Sequence, residues 1–317
     1  STANKITHTN INPDNNGNND QEQNVATTDY QKNILEKFNK ITLSTSDGDI
    51  EKYSGFIKNS STGDDQHVRI YIPSEHNNEK MPVVFLIPGG TGDGSEFEEK
   101  QTDNSSKATK LTNKGFITVV YSPLGTGESE GKLNYQGYND QDGLAQIIKI
   151  ISSLSIVDND NMGLASFSYG ATAAAGILAR YPELNIKFWS DWEGPSSRYF
   201  TTVGCKEKNK QIKKDTPGAH SCNNDNFWQE REAAEFIKTA KVDYYWRVQQ
   251  EKDHVQPTYG HTIEMINNAV ANKNIPWVKL NNGEVNATYT EETVIALPNT
   301  NFFDDYIIPH LEQMSQF

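Results

Sequence analysis

The stretch Asn161-Met162-Gly163-Leu164-Ala165-Ser166-Phe167-Ser168-Tyr169-Gly170-Ala171-Thr172-Ala173-Ala174-Ala175-Gly176-Ile177-Leu178-Ala179-Arg180-Tyr181 decides how the rest of the chain is read. Its first half is a short apolar run of strand character, and its second half is an Ala-rich helix. Between them, Ser166-Phe167-Ser168-Tyr169-Gly170 fits the small-x-Ser-x-small pattern of a sharp strand-to-helix turn that lifts one hydroxyl above a sheet edge. Small residues flank such a turn because backbone and neighbouring side chains approach closely there, and Ser166, Gly170 and Ala171 meet that demand. The turn exposes Ser168 Oγ. It also sets the Tyr169 amide at a helix N-terminus, where unpaired N–H groups and the dipole favour negative charge. Ser166 is the rival nucleophile, with flanks that fit the turn less well. The plain alternative is a Ser-rich strand-helix junction of the kind any α/β protein contains.

Working outward, residues 81–87 form a continuous apolar run, the mark of a strand buried on both faces, and end in Pro88-Gly89-Gly90-Thr91-Gly92-Asp93-Gly94. A second such run, 116–121, ends in Ser122-Pro123-Leu124-Gly125-Thr126-Gly127-Glu128-Ser129-Glu130-Gly131. Period-two patterns over 41–58 and 67–73 predict an antiparallel entry, after a helical turn near 30–40. Leu144, Ile147, Ile148 and Ile151 predict a helix over 140–154. Strands are expected at 186–192, 243–248 and 277–280, helices at 228–239, 261–271 and 307–314, and a hairpin at 285–297. The fold class that follows is α/β, a mostly parallel central sheet with helices on both faces. Functional groups in such sheets collect at the carboxyl ends of the strands.

The chain has 317 residues, enough for one α/β domain with a decorated end, and only 35% of them are hydrophobic. Residues 1–29 are Asn, Asp, Gln and Thr with almost nothing apolar, and read as a flexible leader to a folded domain over 30–317. The opening lacks an apolar core of signal-peptide type. A formal net charge of −13 excludes nucleic acid as a partner, since counterion release needs clustered cations. No apolar run spans a bilayer, so no membrane partner is expected. The polar stretch 194–227 interrupts the alternation and reads as an insertion over the mouth of the site, pinned by Cys205 and Cys222. That pair suits a disulfide in an oxidising compartment, hence a secreted or cell-surface protein. Read with His220 as zinc ligands, the cysteines are too few and too irregularly spaced, and no metal is expected. Sequons stand at Asn59, Asn104 and Asn286.

A hydroxyl is a poor nucleophile until a base takes its proton and a carboxylate orients that base. Asp253 is the expected acid because it follows a buried strand immediately, and Asp191 is the runner-up. His310, after the last strand, is the expected base, with His261 and then His254 as competitors; His254 adjoins the proposed acid. Gly90 and the Tyr169 amide are the expected oxyanion donors, and Thr91 is the alternate donor and a substrate contact. Trp192 is expected to line the pocket, as are Tyr199, Phe200, Phe227 and Trp228 around the insertion. Glu193 is a candidate for gripping a substrate amine. With Asp191 it makes only two acids, too few to argue a cation site. The Gly-rich turn lacks the Gly-Lys-Ser/Thr of a phosphate loop.

Taken together, Pro88-Gly89-Gly90, Gly125-x-Gly127-x-Ser129-x-Gly131, the Ser168 turn and Asp253-His254-Val255-Gln256-Pro257 resemble the α/β-hydrolases. The chain is similar to their dienelactone-hydrolase-like and prolyl-oligopeptidase-like serine hydrolases. Three features depart from that pattern: Pro88 replaces a His, Ser166 replaces the first Gly of the elbow, and no Gly-His pair follows the last strand. The resemblance implies hydrolysis of an ester, lactone or peptide through an acyl-enzyme, without a cofactor. The expectation is a secreted carboxylesterase acting on a small-molecule or polymeric ester. A serine peptidase and a non-catalytic binding protein on the same fold are the alternatives.

Overall fold

The computed structural model describes residues 28–46, 50–76, 79–199, 205, 221–254 and 256–317. The expected leader lies outside the described residues up to position 27, as does most of the expected insertion. In chain order the elements are α1 (Asp29–Lys37), β1 (Asn39–Ser46), β2 (Ile50–Lys58), β3 (Asp65–Pro73), β4 (Met81–Ile87), α2 (Lys107–Thr112) and β5 (Ile117–Tyr121). Then come α3 (Tyr138–Ser152), β6 (Val157–Phe167), α4 (Gly170–Arg180), β7 (Phe188–Trp192), α5 (Asp225–Trp228) and α6 (Ala233–Phe236). The chain finishes with β8 (Tyr244–Val248), α7 (Gly260–Ala271), β9 (Trp277–Leu280) and α8 (Ile308–Ser315).

The strands form one sheet in the order β1-β2-β3-β5-β4-β6-β7-β8-β9. β1 to β3 are antiparallel and β3 joins β5 antiparallel, whereas β5, β4 and β6 to β9 run parallel. The continuous apolar runs are explained by burial on both faces. In β4, Val83, Phe85 and Ile87 belong to one core with Leu144, Ile147, Ile148 and Ile151 of α3, while Val84 and Leu86 belong to the other with Leu311 and Met314 of α8. Each such Leu or Ile contributes about 1.5–3 kcal/mol on burial.

Two expected elements differ. The helix expected over 228–239 is two short helices, α5 and α6. The chain between them turns inward so that Arg231 donates to Phe227 O (2.6 Å), Tyr135 O (3.2 Å) and Asn134 O (2.5 Å). The hairpin expected over 285–297 is a run of turns. Side-chain amides replace the ladder: Val278 N donates to Asn286 Oδ1 and Asn281 Nδ2 donates to Ile295 O, both at 2.8 Å. Cys205 and Cys222 form the expected disulfide.

His310 corrects a functional expectation. It sits within α8, 5% exposed, with its ring stacked on Trp246 at 3.6 Å and 9°. A ring held between a helix and the sheet faces core, not the strand ends, and it is not brought to Ser168. Burial first, and then the neighbouring Lys279, push its pKa from 6.5 to about 3.

Register sets a polar row inside the sheet. Ser166 pairs with Asp191 and Asp191 with Arg247, so their side chains line up across β6, β7 and β8. Ser166 Oγ donates to Asp191 Oδ1 (3.2 Å) and accepts from Trp189 Nε1 (2.8 Å). Arg247 Nη1 donates to Asp191 Oδ2, and both side chains are 0% exposed. The rival serine is thereby occupied with structure.

Removing Asp191 strands a buried guanidinium, so Asp191→Ala should cost about 3–5 kcal/mol in urea unfolding. For His310 the folded pKa lies below the unfolded one, so the unfolded chain binds the extra proton. Its contribution is intact above pH 6.5 and is lost as pH falls towards 3. His310→Phe, which keeps the stack, should remove up to about 1.4 kcal/mol per pH unit of that acid-side slope, read from urea midpoints at pH 7, 5 and 4.

Candidate active site

Four strand ends meet at one edge of the sheet. After β6 the chain turns through Ser168, whose φ of 51° is left-handed. Non-glycine residues reach that region at a cost of about 1–2 kcal/mol, so surrounding bonds must hold the turn. Ser168 N donates to Trp192 O (2.9 Å), and Ala171 N donates to Ser168 O (3.1 Å). Small flanking residues are required by approach: a Cβ on Gly170 would lie 2.7 Å from both Ile87 O and Pro88 O. A Cβ on Gly89 would lie 2.6 Å from Phe167 O and 2.9 Å from Ser168 Cβ.

Ser168 Oγ lies 2.8 Å from His254 Nε2, although the two residues are 86 positions apart. On the other side of the ring, His254 Nδ1 lies 2.9 Å from Glu193 Oε2. A carboxylate against Nδ1 assigns the proton to that nitrogen and leaves the Nε2 lone pair for the serine hydroxyl. Glu193 follows β7 directly, with φ 47°, and its side chain is wholly buried. It also accepts from His254 N (3.2 Å) and Gln250 N (3.0 Å). Its carboxylate is thus filled from the loop 249–254, and it does not open to the pocket as an amine grip; that expectation is corrected.

Asp253, the expected acid, is the second carboxylate at the same nitrogen. Its Oδ1 is 3.5 Å from His254 Nδ1 and accepts Gln256 N at 2.7 Å. Its Oδ2 accepts Gln249 Nε2 at 3.1 Å and lies 3.1 Å from His261 Nε2. His261, the second choice as base, is buried in α7 with Nδ1 near Arg247 Nη2 (3.0 Å) and Gly194 O (3.1 Å). The imidazole at Ser168 is therefore His254, not His310 or His261. The readable signal was the missing Gly-His pair: after β9 stands Asn281, which accepts Gln249 N (2.8 Å) and returns a bond to Gln249 O (2.9 Å). Among the described residues, Glu193, Asp253 and His254 have ligand atoms within 4.8 Å of one another. Those groups face one another, the side chains of Ser168, Gln249 and His261, and the amides of Gln250, His254 and Gln256.

The turn after β4 runs beside the elbow. Gly92 N donates to Gly89 O (2.8 Å), and in a trans peptide this sets the Gly90 N–H on the opposite edge. Thr91 is exposed at the tip. Trp192 stacks between His254 (4.4 Å) and Phe302 (3.9 Å), and its Nε1 donates to Gln250 Oε1 (3.1 Å). Phe302 was not legible from sequence, because it arrives from the irregular segment before α8. Trp228 packs with Tyr135 and Tyr169, Tyr199 is exposed, and Phe200 lies outside the described residues.

Residues 62–199 match the X-Pro dipeptidyl-peptidase (S15) family. An uncharacterized protein of Escherichia coli, YcjY, is 30% identical over 117 residues, 35% of this chain and 36% of that protein. The match thus spans about a third of that relative's length. An acetyl xylan esterase from Thermoanaerobacterium superposes with a TM-score of 0.58 and 18% identity, covering 90% of this chain and 92% of the other. An S-formylglutathione hydrolase from Agrobacterium tumefaciens gives 0.59 and 13%, covering 86% and 97%. An acylaminoacyl peptidase from Pyrococcus horikoshii gives 0.57 and 17%, covering 83% of this chain and 39% of that one. At these identities the structural likeness is one of fold. It agrees with the strand order and the serine turn, so the chain has the α/β-hydrolase fold, and residues 62–199 are similar to the S15 family.

Proposed function

We propose that the protein hydrolyses carboxylic esters through an acyl-enzyme on Ser168, with His254 as the base and Glu193 as the carboxylate that orients it. The observation that carries this is one unbroken line, Ser168 Oγ to His254 Nε2 at 2.8 Å and His254 Nδ1 to Glu193 at 2.9 Å. Nε2 takes the hydroxyl proton as Oγ attacks the carbonyl. The imidazolium then faces two carboxylates, those of Glu193 and Asp253, which favour its charge. The developing oxyanion is held by the amides of Gly90 and Tyr169, each worth roughly 3 kcal/mol in the transition state. Collapse expels the alcohol with the proton from Nε2, and water activated by the same nitrogen releases the acid.

Two observations favour esters over peptides. The acid that would grip a peptide amine, Glu193, is committed beneath the imidazole. The pocket wall beside His254 is aromatic, built from Trp192 and Phe302. The S15 match at residues 62–199 motivates the second reading, a serine peptidase. The disulfide supports a secreted or cell-surface location. A small-molecule or polymeric ester is the proposed substrate.

A panel of p-nitrophenyl esters, lactones and aminoacyl anilides should show turnover of esters first; preference for the anilides would move the reading to a peptidase. Ser168→Ala should lower kcat by about 10³-fold or more and abolish fluorophosphonate labelling, with the fold retained. Glu193→Gln should lower kcat by about 10³- to 10⁴-fold, and Asp253→Asn far less. The reverse order would return the orienting role to Asp253.

A further inference from the structure

Tyr135 and Gln136 have φ of 56° and 63°, two consecutive left-handed residues of which neither is glycine. Such a pair persists only where the surroundings over-determine it, and it is a pointer to function. Here the surroundings do so. Gln136 N donates to Asp140 Oδ2 (2.8 Å), Gln141 Nε2 donates to Gln136 O (3.0 Å), and Arg231 holds the carbonyls of Asn134 and Tyr135. None of these groups touches Ser168, His254 or Glu193 through a hydrogen bond.

The turn reaches both sides of the oxyanion site. The Gln136 side chain is wholly buried, and its Nε2 donates to Pro88 O at 3.1 Å, 48 residues away. The Tyr135 ring packs on the Tyr169 ring with centroids 4.8 Å apart. The next carbonyl, Gly89 O, is taken by Gly92 N. Both peptide planes leading to the Gly90 N–H are thereby clamped.

We propose that the Tyr135-Gln136 turn braces the oxyanion hole, with Gln136 a positioning residue that aims the Gly90 amide by holding Pro88 O while Tyr135 seats Tyr169. The inference rests on the esterase reading, in which these two amides face the oxyanion. A preorganised donor contributes because it need not reorient as charge develops, so a loosened brace acts on the transition state and spares ground-state binding.

The test uses p-nitrophenyl acetate turnover and inhibition by an aryl trifluoromethyl ketone. Wild-type turnover that disappears in Ser168→Ala establishes the esterase reading; its absence removes that reading and this inference with it. Gln136→Asn then discriminates. Asn tolerates the left-handed backbone, so the turn survives, but its amide stops one methylene short of Pro88 O. Gln136→Met fills the same volume without a donor. For both variants kcat should fall by about 10-fold or more, with KM within about twofold and a circular-dichroism spectrum matching the wild type at the assay temperature. The ketone's inhibition constant should rise by the same factor as kcat/KM falls. Wild-type kcat in either folded variant overturns the proposal, as does a loss of kcat without a matching loss of ketone affinity.

Discussion

The ion pair of Asp191 and Arg247 is the constraint from which the rest of the site is built. It lies wholly out of water between β7 and β8, where either charge alone would be strongly destabilising. Arg247 uses its remaining donors upward, bonding Gly194 O just past Glu193, His261 Nδ1 and Thr262 Oγ1. Thr262 in turn donates to Gln249, whose side-chain amide reaches Asp253. A single buried guanidinium thus ties the loop after β7, the loop after β8 and helix α7 into one body, on which Glu193 and His254 are carried. The unusual Ser166 of the elbow fits the same logic, since its hydroxyl satisfies a lone pair of Asp191 that a glycine would leave bare.

Above that pair the chain repeats one device. β6, β7 and β9 each end one residue before a left-handed non-glycine residue: Ser168, Glu193 and Asn281, with φ of 51°, 47° and 49°. Each such residue costs on the order of 1–3 kcal/mol and turns the chain sharply at the end of a buried strand. Each also turns a polar side chain onto the rim. The hydroxyl meets the imidazole, the carboxylate orients it, and the Asn281 amide ties the backbone of Gln249, where the loop that bears His254 begins. Among the described residues, three of the eight left-handed non-glycine residues stand at these strand ends.

The surroundings of Ser168 are mixed in character. His254 is backed by a stack of Trp192 on Phe302, which limits the ring's rotation and presents apolar surface near Ser168. Across the elbow, Tyr169 is pressed between Tyr135 and Trp228 in a small separate core. The elbow is therefore gripped from both flanks by aromatic packing, while the turn after β4 is held by hydrogen bonds to Pro88 O and Gly89 O.

Short windows of sequence carry local structure. The elbow at Ser168, the two-face burial of β4 and β5, the spacing that makes α3 and the disulfide are written in contiguous residues, because hydrophobic period and turn chemistry act within a few positions. The partner of the serine is not of that kind. His254, Glu193 and Ser168 come from three loops, and which imidazole fills the gap depends on how far each loop reaches from its strand. His310 satisfied the expected chain order yet was drawn under Trp246 by the apolar face of α8. Asp253 satisfied the expected position yet stands second to a glutamate one strand away, which register alone brings closer. Only the packed sheet settles such contests, since proximity across strands follows from pairing and burial that no short window of sequence contains.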